Sequence, residues 1–361
     1  MAMKGKLANI ALFFGSIILV LLVIEVTLRA YHGEWRYTNF RFPYANKFDG
    51  LHIYDTELGW VPKQGQVDGW ETTVKILAAG VRSNGRGEIW DETDNPILAV
   101  GDSFTFGDGV RDSETWPAQL EQLSERRVIN GGVDGYGLDQ TYLRARHLIS
   151  SYRFGILIFS FIPDDIRRSQ MSVMWGTAKP YFDFRDGLLT LENVPVPAPS
   201  SSSEKNPLVI ALEHSRLVHA VMKRVYGERW QYGSIQVLND KRGEGIACAL
   251  LHELEGLSKS RGFDLIVLAQ YHKHEITWQS TAVAQAVLGC LTDPATRILD
   301  LKTALTKLSP ELRSSYYGPF TPPQHWSHMT PIGNEFVAHE ILKVLPPGEA
   351  QVNRALFAPT R

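Results

Sequence analysis

Short apolar runs and helical repeats alternate along residues 96–345 of the chain. Five runs fit β-strands, and they cover residues 96–100, 127–130, 154–162, 263–271 and 297–301. Five segments repeat apolar residues at roughly helical spacing, and they cover residues 115–125, 138–152, 246–260, 282–291 and 334–345. The run at 154–162 is almost continuously apolar, which is typical of a strand buried on both faces of a parallel sheet. The alternation predicts a doubly wound α/β domain.

Residues 168–206 interrupt this alternation. The stretch YFDFRDGLLTL, residues 181–191, alternates apolar and polar positions around an Asp-Gly pair and therefore predicts a β-hairpin. The stretch PVPAPSSSSEKNP follows it and is typical of a flexible connection. We expect an insertion over the carboxyl ends of the strands, where it would shape a substrate pocket. The alternative is a surface hairpin without a functional role.

The N-terminal segment has the composition of a membrane anchor. Residues 7–24 form a run of 18 residues without a charge, which is long enough to span a bilayer. Lys4 and Lys6 precede it, so the positive-inside rule keeps the N-terminus cytoplasmic and places the main domain on the extracytoplasmic, periplasmic side. We predict an uncleaved transmembrane anchor over residues 7–28. A cleaved signal peptide leads to the same compartment, and a buried core helix fits less well because the run is apolar on every face.

Composition bounds the rest of the chain. Residues 30–95 show no sustained helical period and predict an irregular preamble that packs on the main domain, and residues 346–361 form a C-terminal tail. The 361 residues are 44% apolar and 21% charged, as in a folded protein with a sizeable core. The net charge of −2 and the lack of a dense Lys/Arg stripe give no reason to expect nucleic acid as a partner.

The chain contains two cysteines, Cys248 and Cys290. Two cysteines are too few for a disulfide framework, although they could pair in an oxidising compartment. Because Cys248 lies in a helical segment, we expect two buried thiols rather than a disulfide.

Polar residues cluster where the strands end, which is where open α/β sheets bind their ligands. Gly101-Asp102-Ser103 follows the first strand, and its glycine allows a sharp turn that exposes the Ser103 hydroxyl at the sheet edge. Residue 105 is threonine, so the stretch is not the G-x-S-x-G elbow of α/β-hydrolases. Ser103 is therefore either a nucleophile or a capping serine in an ordinary turn.

Two further loops fall at the same edge. The stretch NGGVDGYG, residues 130–137, offers backbone N–H groups suited to an oxyanion hole, and it lacks the G-x-G-x-x-G spacing of a dinucleotide site. The stretch FIPDDIRRS, residues 161–169, places Asp164 and Asp165 directly after a strand. These aspartates are either functional carboxylates or the acidic first turn of a helix.

Histidines mark the remaining loops at this edge, and they are His272, His274, His325 and His328. The last two precede the final helix, from where one of them can reach Ser103. Their H-x-x-H spacing supplies two metal ligands, which do not make a metal site. A metal shared by all four histidines is the less favoured alternative, and we expect neither a metal nor a cofactor.

Taken in order, these blocks resemble the SGNH, or GDSL-like, hydrolase superfamily over residues 96–345. The GDS block of that family, which carries the nucleophile, matches Gly101-Asp102-Ser103. Its N-x-G-x-x-G block matches residues 130–135 and implies that Gly135 donates an N–H to the oxyanion. Its D-x-x-H block matches residues 325–328 and implies that His328 is the base. The resemblance also implies a flavodoxin-like, three-layer α/β/α sandwich around a parallel sheet.

The match departs from the family pattern at two positions. Asp164 stands where the family carries an asparagine that donates to the oxyanion, and a carboxylate cannot donate unless it is protonated. The loss of one such donor costs about 10²–10³ in rate. His325 stands where the family carries the acid that orients the base, and it brings no negative charge. Glu275 or Asp164 could supply that charge from a neighbouring loop.

The resemblance implies acyl transfer through a Ser103 acyl-enzyme. With water as the acceptor the chain is a hydrolase of acyl, in particular acetyl, esters of envelope glycans or lipids. With a sugar hydroxyl as the acceptor it is an O-acyltransferase that modifies an exported polysaccharide, together with an export or acyl-transfer partner in the membrane. The third reading is a catalytically impaired glycan-binding or scaffold protein, which the residues at 164 and 325 keep open.

Overall fold

The structure is a computed structural model that describes residues 2–33, 50–69, 72–86, 95–174, 176–199, 207–227, 230, 240–273, 275–277, 281–318 and 328–346. Its strands are β1 His52–Asp55, β2 Gly59–Pro62, β3 Gly65–Asp68, β4 Thr73–Ile76, β5 Ile97–Val100, β6 Val128–Asn130, β7 Ile156–Phe161, β8 Val173–Met174, β9 Thr177–Ala178, β10 Tyr181–Arg185, β11 Leu188–Glu192, β12 Asp264–Ala269 and β13 Arg297–Asp300. Its α-helices are α1 Ala2–His32, α2 Ser103–Phe106, α3 Trp116–Ser124, α4 Leu138–Ser151, α5 Pro163–Arg168, α6 Pro207–Glu213, α7 Arg216–Tyr226, α8 Asp240–Arg261, α9 Thr281–Leu288, α10 Leu301–Thr306, α11 Pro310–Ser315 and α12 Pro331–Leu342.

A five-stranded parallel sheet forms the centre of the molecule, in the order β13-β12-β7-β5-β6. Numbered along the chain, this is the 2-1-3-4-5 order of flavodoxin-like folds, whose crevice opens at the carboxyl ends of the first and third strands. Here those strands are β5 and β7, which pair in register from Ile97 opposite Ile156 to Val100 opposite Phe159. Ser103 follows β5 and Asp164 follows β7, so both lie at this crevice.

Helices cover both faces of the sheet. α3 packs on α12, and α8 packs against α4, α5 and α9. Every residue of β5, β6 and β7 is buried, which explains why the sequence shows apolar runs there rather than alternation. The predicted three-layer α/β/α sandwich is therefore confirmed. α8 begins at Asp240, six residues before the predicted start at 246, because Gly243 and Gly245 weaken the apolar repeat in its first turns.

The preamble is built from two small antiparallel hairpins, β1-β2 and β3-β4. Its buried side chains tie it to the sheet edge. Trp60 donates its ring N–H to the carbonyl of Asp134 at 3.1 Å, and Tyr136 donates its hydroxyl to the carbonyl of Trp60 at 2.6 Å. These two hydrogen bonds join β2 to the glycine-rich loop after β6.

The predicted hairpin within residues 168–206 is also present, as β10 and β11 joined by Asp186 and Gly187. It packs on the helix layer: Phe182 meets the ring of Tyr142 on α4 at 5.9 Å. The expectation that it lies over the crevice is therefore corrected, because its principal contacts are with α4 and α8. The alternation of apolar residues predicts that one face of the hairpin is buried. It does not predict which surface of the domain covers that face.

The expectation of free thiols is wrong. Cys248 on α8 and Cys290 just after α9 form a disulfide, with Cα atoms 5.5 Å apart and a sequence separation of 42. The sequence predicted that each cysteine lies in or next to a helix. It did not predict that these two helices pack against each other.

Among the described residues, α1 is the helix long and apolar enough to cross a membrane, and its apolar window is wholly exposed. This agrees with an N-terminal anchor over 7–28. The proposed tail falls almost entirely outside the described residues, which end at 346.

Candidate active site

Ser103 is the first residue of α2, at the carboxyl end of β5. Asp102 caps this helix from an extended conformation by accepting the N–H of Phe104 at 3.0 Å. A Cβ atom at Gly101 would lie 2.2 Å from Oγ1 of Thr105, so the tight strand-to-helix turn requires glycine at that position. The local sequence therefore fixes the Ser103 hydroxyl at the crevice.

Arg82 of the preamble holds the loop that follows α2. Its buried guanidinium donates to the carbonyls of Phe106 at 2.9 Å, Gly107 at 2.6 Å and Val110 at 2.7 Å. It also pairs with Asp112 at 2.9 Å. One guanidinium thus binds three backbone carbonyls that take part in no strand ladder, and it fixes the backbone of residues 106–110, directly after α2.

His328 reaches Ser103 from the loop before α12. Its Nε2 lies 2.9 Å from Oγ of Ser103, although 225 residues separate them in sequence. The loop is fixed on both sides of the imidazole. Gly318 donates its N–H to the His328 carbonyl at 2.9 Å. The side-chain amide of Asn334 donates to the carbonyl of Met329 and accepts the N–H of Trp116 at the start of α3. Hydrogen bonds to the backbone carbonyls of His328 and Met329 therefore position the His328 side chain.

The environment keeps His328 neutral at neutral pH. Burial lowers the pKa of His328 to about 4, because the imidazolium would lose its hydration. The negative charge of Asp134 acts in the opposite direction, and the positive charge of Arg168 adds to the lowering of the pKa. A second carboxylate, that of Asp108, lies 3.9 Å from Nε2. A neutral imidazole can accept the hydroxyl proton of Ser103, and these two carboxylates favour its charged form once it has done so.

The glycine-rich loop after β6 lies against the nucleophile turn. Val133 donates its N–H to the carbonyl of Gly101 at 3.0 Å. A Cβ at Gly132 would lie 2.3 Å from the backbone nitrogen of Phe106. Gly135 has the left-handed φ of 72°. Within the described part of the chain, the N–H groups of Ser103 and Gly135 donate to no acceptor, so both are open donors of the kind an oxyanion hole needs.

The loop after β7 carries a buried cluster of charges. Arg168 contacts three carboxylates, those of Asp164 at 2.8 Å, Asp165 at 2.9 Å and Asp102 at 3.7 Å. Burial raises the pKa of Asp102 to about 6 and also raises the pKa of Asp165, which caps α5 by accepting the N–H of Ile162 at 3.0 Å. The acidic helix start that the sequence offered as one reading of this pair is thus present at Asp165.

Asp164 is ionised within this cluster. Although burial disfavours its charged form, Arg167 and Arg168 hold the pKa of its carboxyl below the usual range. Both of its oxygens accept from these arginines, at 2.7 Å and 2.8 Å. Asp164 therefore offers no proton to an oxyanion. Arg168, the last residue of α5, brings a buried positive charge to this cluster.

Glu275 does not provide the missing acid in this arrangement. Its carboxylate accepts the N–H of His272 at 2.7 Å, and no contact joins it or Asp164 to His328 among the described residues. Burial raises the pKa of Glu275 to about 8, so it is protonated at neutral pH and brings no charge. The rings of His272 and Phe104 meet edge to face with centroids 4.7 Å apart, and the Phe104 ring lies 5.4 Å from that of His328.

His325 and His274 lie outside the described residues. Across the part of the chain that is described, no three histidine, cysteine, aspartate or glutamate side chains come close enough to hold a metal ion.

Four contributors to the site were not singled out from the sequence: Arg82, Asp108, Asp134 and Arg168. Asp134 lies within the quoted stretch at residues 130–137 and Asp108 lies five residues after Ser103, so a search for carboxylates around these two turns would have found both. Arg82 carries no local pattern, because its partners are backbone carbonyls and a carboxylate on another loop. Arg168 lies in the quoted stretch at residues 161–169, three and four residues after Asp165 and Asp164, so its helical spacing from those carboxylates could have indicated its role, whereas its contact with Asp102 could not.

No protein-family model matches the chain, and no curated protein matches it. Solved structures give weak similarities. One is a protein described as lipolytic and of the G-D-S-L family from Desulfitobacterium hafniense DCB-2, with 14% identity, a TM-score of 0.36, and coverage of 70% of this chain and 99% of that one. Another is an acetyl xylan esterase, AlAXEase, with 12% identity, a TM-score of 0.39, and coverage of 70% and 100%. A third is the salicylyl-acyltransferase SsfX3 from a tetracycline biosynthetic pathway, with 10% identity, a TM-score of 0.36, and coverage of 80% and 62%.

At these TM-scores the similarities establish neither the fold nor the activity of this chain. The fold class rests on the sheet order, which is flavodoxin-like. The site class rests on a serine at a strand-to-helix turn with a histidine on its hydroxyl. In both respects the chain is similar to SGNH hydrolases, the class that its motifs predicted.

Proposed function

We propose that the chain is a serine-dependent acyl-ester hydrolase in which Ser103 is the nucleophile and His328 is the base. The observation that carries the proposal is the 2.9 Å contact between Nε2 of His328 and Oγ of Ser103. A neutral histidine on a serine hydroxyl is the pairing that activates serine for attack on a carbonyl. The neutral state of His328 follows from its burial.

The reaction balances in two steps. In the first step Ser103 Oγ attacks the ester carbonyl carbon, its proton passes to Nε2 of His328, and the leaving alcohol takes that proton as its bond to the acyl group breaks. In the second step a water gives its proton to His328 and attacks the acyl carbon. Ser103 Oγ then leaves and recovers the proton. The N–H groups of Ser103 and Gly135 are the proposed donors to the oxyanion in both steps.

The N-terminal helix and the disulfide support the proposed compartment, and the compartment supports the proposed class of substrate. A helix able to span the membrane at residues 9–32 supports an anchored protein, and Lys4 and Lys6 before it favour a cytoplasmic N-terminus. The Cys248–Cys290 disulfide is typical of an oxidising compartment such as the periplasm. We therefore propose acyl esters, in particular acetyl esters, of envelope glycans or lipids as substrates.

The experiment uses the full chain in detergent with p-nitrophenyl acetate and with an acetylated oligosaccharide. We expect release of p-nitrophenol and acetate by the wild type and loss of both by Ser103→Ala and by His328→Ala. Ester cleavage with no acetate release, and with acetyl appearing on an added unacetylated oligosaccharide, would identify an acyltransferase instead. Cleavage of neither substrate, with binding of the oligosaccharide retained, would support the binding-protein reading.

A further inference from the structure

A helix pair, α6 and α7, is attached to the end of the N-terminal apolar helix. The carboxylate of Glu25 on α1 accepts the N–H groups of Arg216 at 2.9 Å and Leu217 at 2.8 Å, and the hydroxyl of Ser215 at 2.9 Å. Arg29, one turn further along α1, donates to the carbonyl of His214 at 2.5 Å. The side chains of α1 thus bind the start of α7 directly.

These contacts fix the depth of α7 relative to a bilayer. Residues 7–24 carry no charge, and at about 1.5 Å per residue their 18 positions span about 27 Å. The hydrocarbon core of a bilayer is about 30 Å thick, so Glu25, the next residue, falls at its boundary. Because the N-terminus of α7 lies on the Glu25 carboxylate, α7 begins at the level of the headgroups.

The exposed face of the pair is apolar. Five large apolar side chains there are exposed by between 42% and 66%, and they are Leu208, Leu212, Val221, Val225 and Tyr226. Val221 and Val225 are one helical turn apart on α7, so they form one stripe. On the opposite side of α7, His219 is buried and accepts the ring N–H of Trp230 at 3.1 Å. α7 therefore has one side packed on the protein and an apolar side with no protein cover in the described part of the chain.

The exposed charges of α7 are basic, and at about 100° per residue Arg224 flanks the stripe whereas Lys223 lies further round the helix. Lys223 and Arg224 are both exposed, whereas Glu213, the carboxylate within residues 207–227, is buried. An amphipathic helix with exposed apolar residues and flanking cations at headgroup depth has the composition of an interfacial membrane helix. The same cations favour anionic lipid headgroups.

We infer that α6 and α7 lie in the surface of the bilayer that α1 spans, with Val221 and Val225 toward the acyl chains and Lys223 and Arg224 toward anionic headgroups. The inference rests on α1 being the proposed anchor. It goes beyond anchoring, because α1 alone would leave the domain free to swing. A second contact formed by α6 and α7 would fix which surface of the domain faces the membrane.

The test measures the depth of single labels on the full chain in lipid nanodiscs containing anionic phosphatidylglycerol. A spin label is placed on Val225→Cys, with Leu188→Cys at the exposed hairpin tip as the aqueous reference and Ile17→Cys within α1 as the lipid reference. The native cysteines are paired and do not take the label. The readout is collisional relaxation by a water-soluble nickel complex compared with that by oxygen.

We expect the label at 225 to lose most of its nickel accessibility relative to the label at 188. We also expect Lys223→Glu with Arg224→Glu to restore part of that accessibility. Equal accessibility at 225 and 188, with 17 protected, would overturn the inference and would indicate that this face serves a protein partner. Nickel access at 17 would overturn both the anchor and the inference. Neither readout depends on esterase activity, so the proposed function is tested separately.

Discussion

The loops that follow β5 and β7 lie side by side at one edge of the sheet, yet they are built on opposite physical principles. The loop after β5 presents a neutral hydroxyl, Ser103, with an open N–H, and Arg82 fixes it from outside through backbone carbonyls. The loop after β7 presents charge, and Arg168 ties its carboxylates together from within. Under the proposed function, the first segment supplies the reacting group and the second supplies fixed charges close to it, since Arg168 lies 3.7 Å from Asp102, the neighbour of Ser103.

The largest expected effect is on the first loop. Ser103→Ala removes the atom that forms the acyl-enzyme, so kcat should fall by about 10⁴–10⁶-fold. Ser124→Ala, at the end of α3, removes a hydroxyl whose partners are the carbonyl of Leu120 and the N–H of Arg126, and it should leave kcat unchanged. Ester hydrolysis by the two purified variants measures the contrast. A Ser103→Ala enzyme with wild-type kcat would place the chemistry elsewhere.

The next largest effect is expected after β7, where loss of Arg168 should lower the free energy of unfolding. Arg168→Met leaves three buried carboxylates without their shared cation, and the free energy of unfolding should fall by about 3–5 kcal/mol. Arg167→Met is the matched control, because Arg167 is 25% exposed and pairs with Asp164 at 2.7 Å. Its cost should stay at or below about 1 kcal/mol. Denaturant titration measures both values, and equal losses would show that the cluster does not act as a unit.

A smaller effect is expected where the glycine-rich loop meets the base. The charge of Asp134 opposes the lowering of the His328 pKa, which lies at about 4. Asp134→Asn should therefore lower that pKa further, move the acid limb of kcat/KM to lower pH, and reduce kcat by about tenfold or less through a weaker base. His52→Gln removes the partner that Asp134 contacts at 2.5 Å but keeps the carboxylate. An identical shift in both variants would argue against a direct action of the Asp134 charge.

The smallest effect on rate is expected at Glu275, whose pKa is raised from 4.5 to about 8. A carboxyl that is protonated in the folded protein stabilises it fully below pH 4.5, and that contribution is lost as the pH rises through about 8. Glu275→Gln keeps the neutral form, so kcat at pH 7 should change by less than about twofold. The variant should also lose less stability than the wild type between pH 5 and about 8. A large fall in kcat would restore Glu275 as the orienting acid.

Much of this comparison could be read from the sequence and part of it could not. The apolar runs located all five strands of the sheet to within two residues at either end, because strands buried on both faces leave an unbroken local pattern. Ser103 and His328 were predicted from local motifs. Ser103 begins α2 and His328 lies three residues before α12, and turns at such positions constrain the neighbouring residue types.

The features that sequence missed depend on contacts between distant segments. The Cys248–Cys290 disulfide needs α8 and α9 side by side, and the surface that the hairpin covers needs the position of α4. Arg82 and Arg168 act on atoms up to 66 residues away in sequence, since Arg168 reaches Asp102. No local pattern records such pairs.

The most direct test of the account is covalent capture of the nucleophile. The full chain is treated with a fluorophosphonate and digested, and the modified residue is identified by mass spectrometry. We predict one adduct, on Ser103, whose rate of formation falls in His328→Ala and stays unchanged in Ser124→Ala. An unlabelled wild-type protein, or an adduct on another serine, would contradict the claim that Ser103 and His328 form the reacting pair.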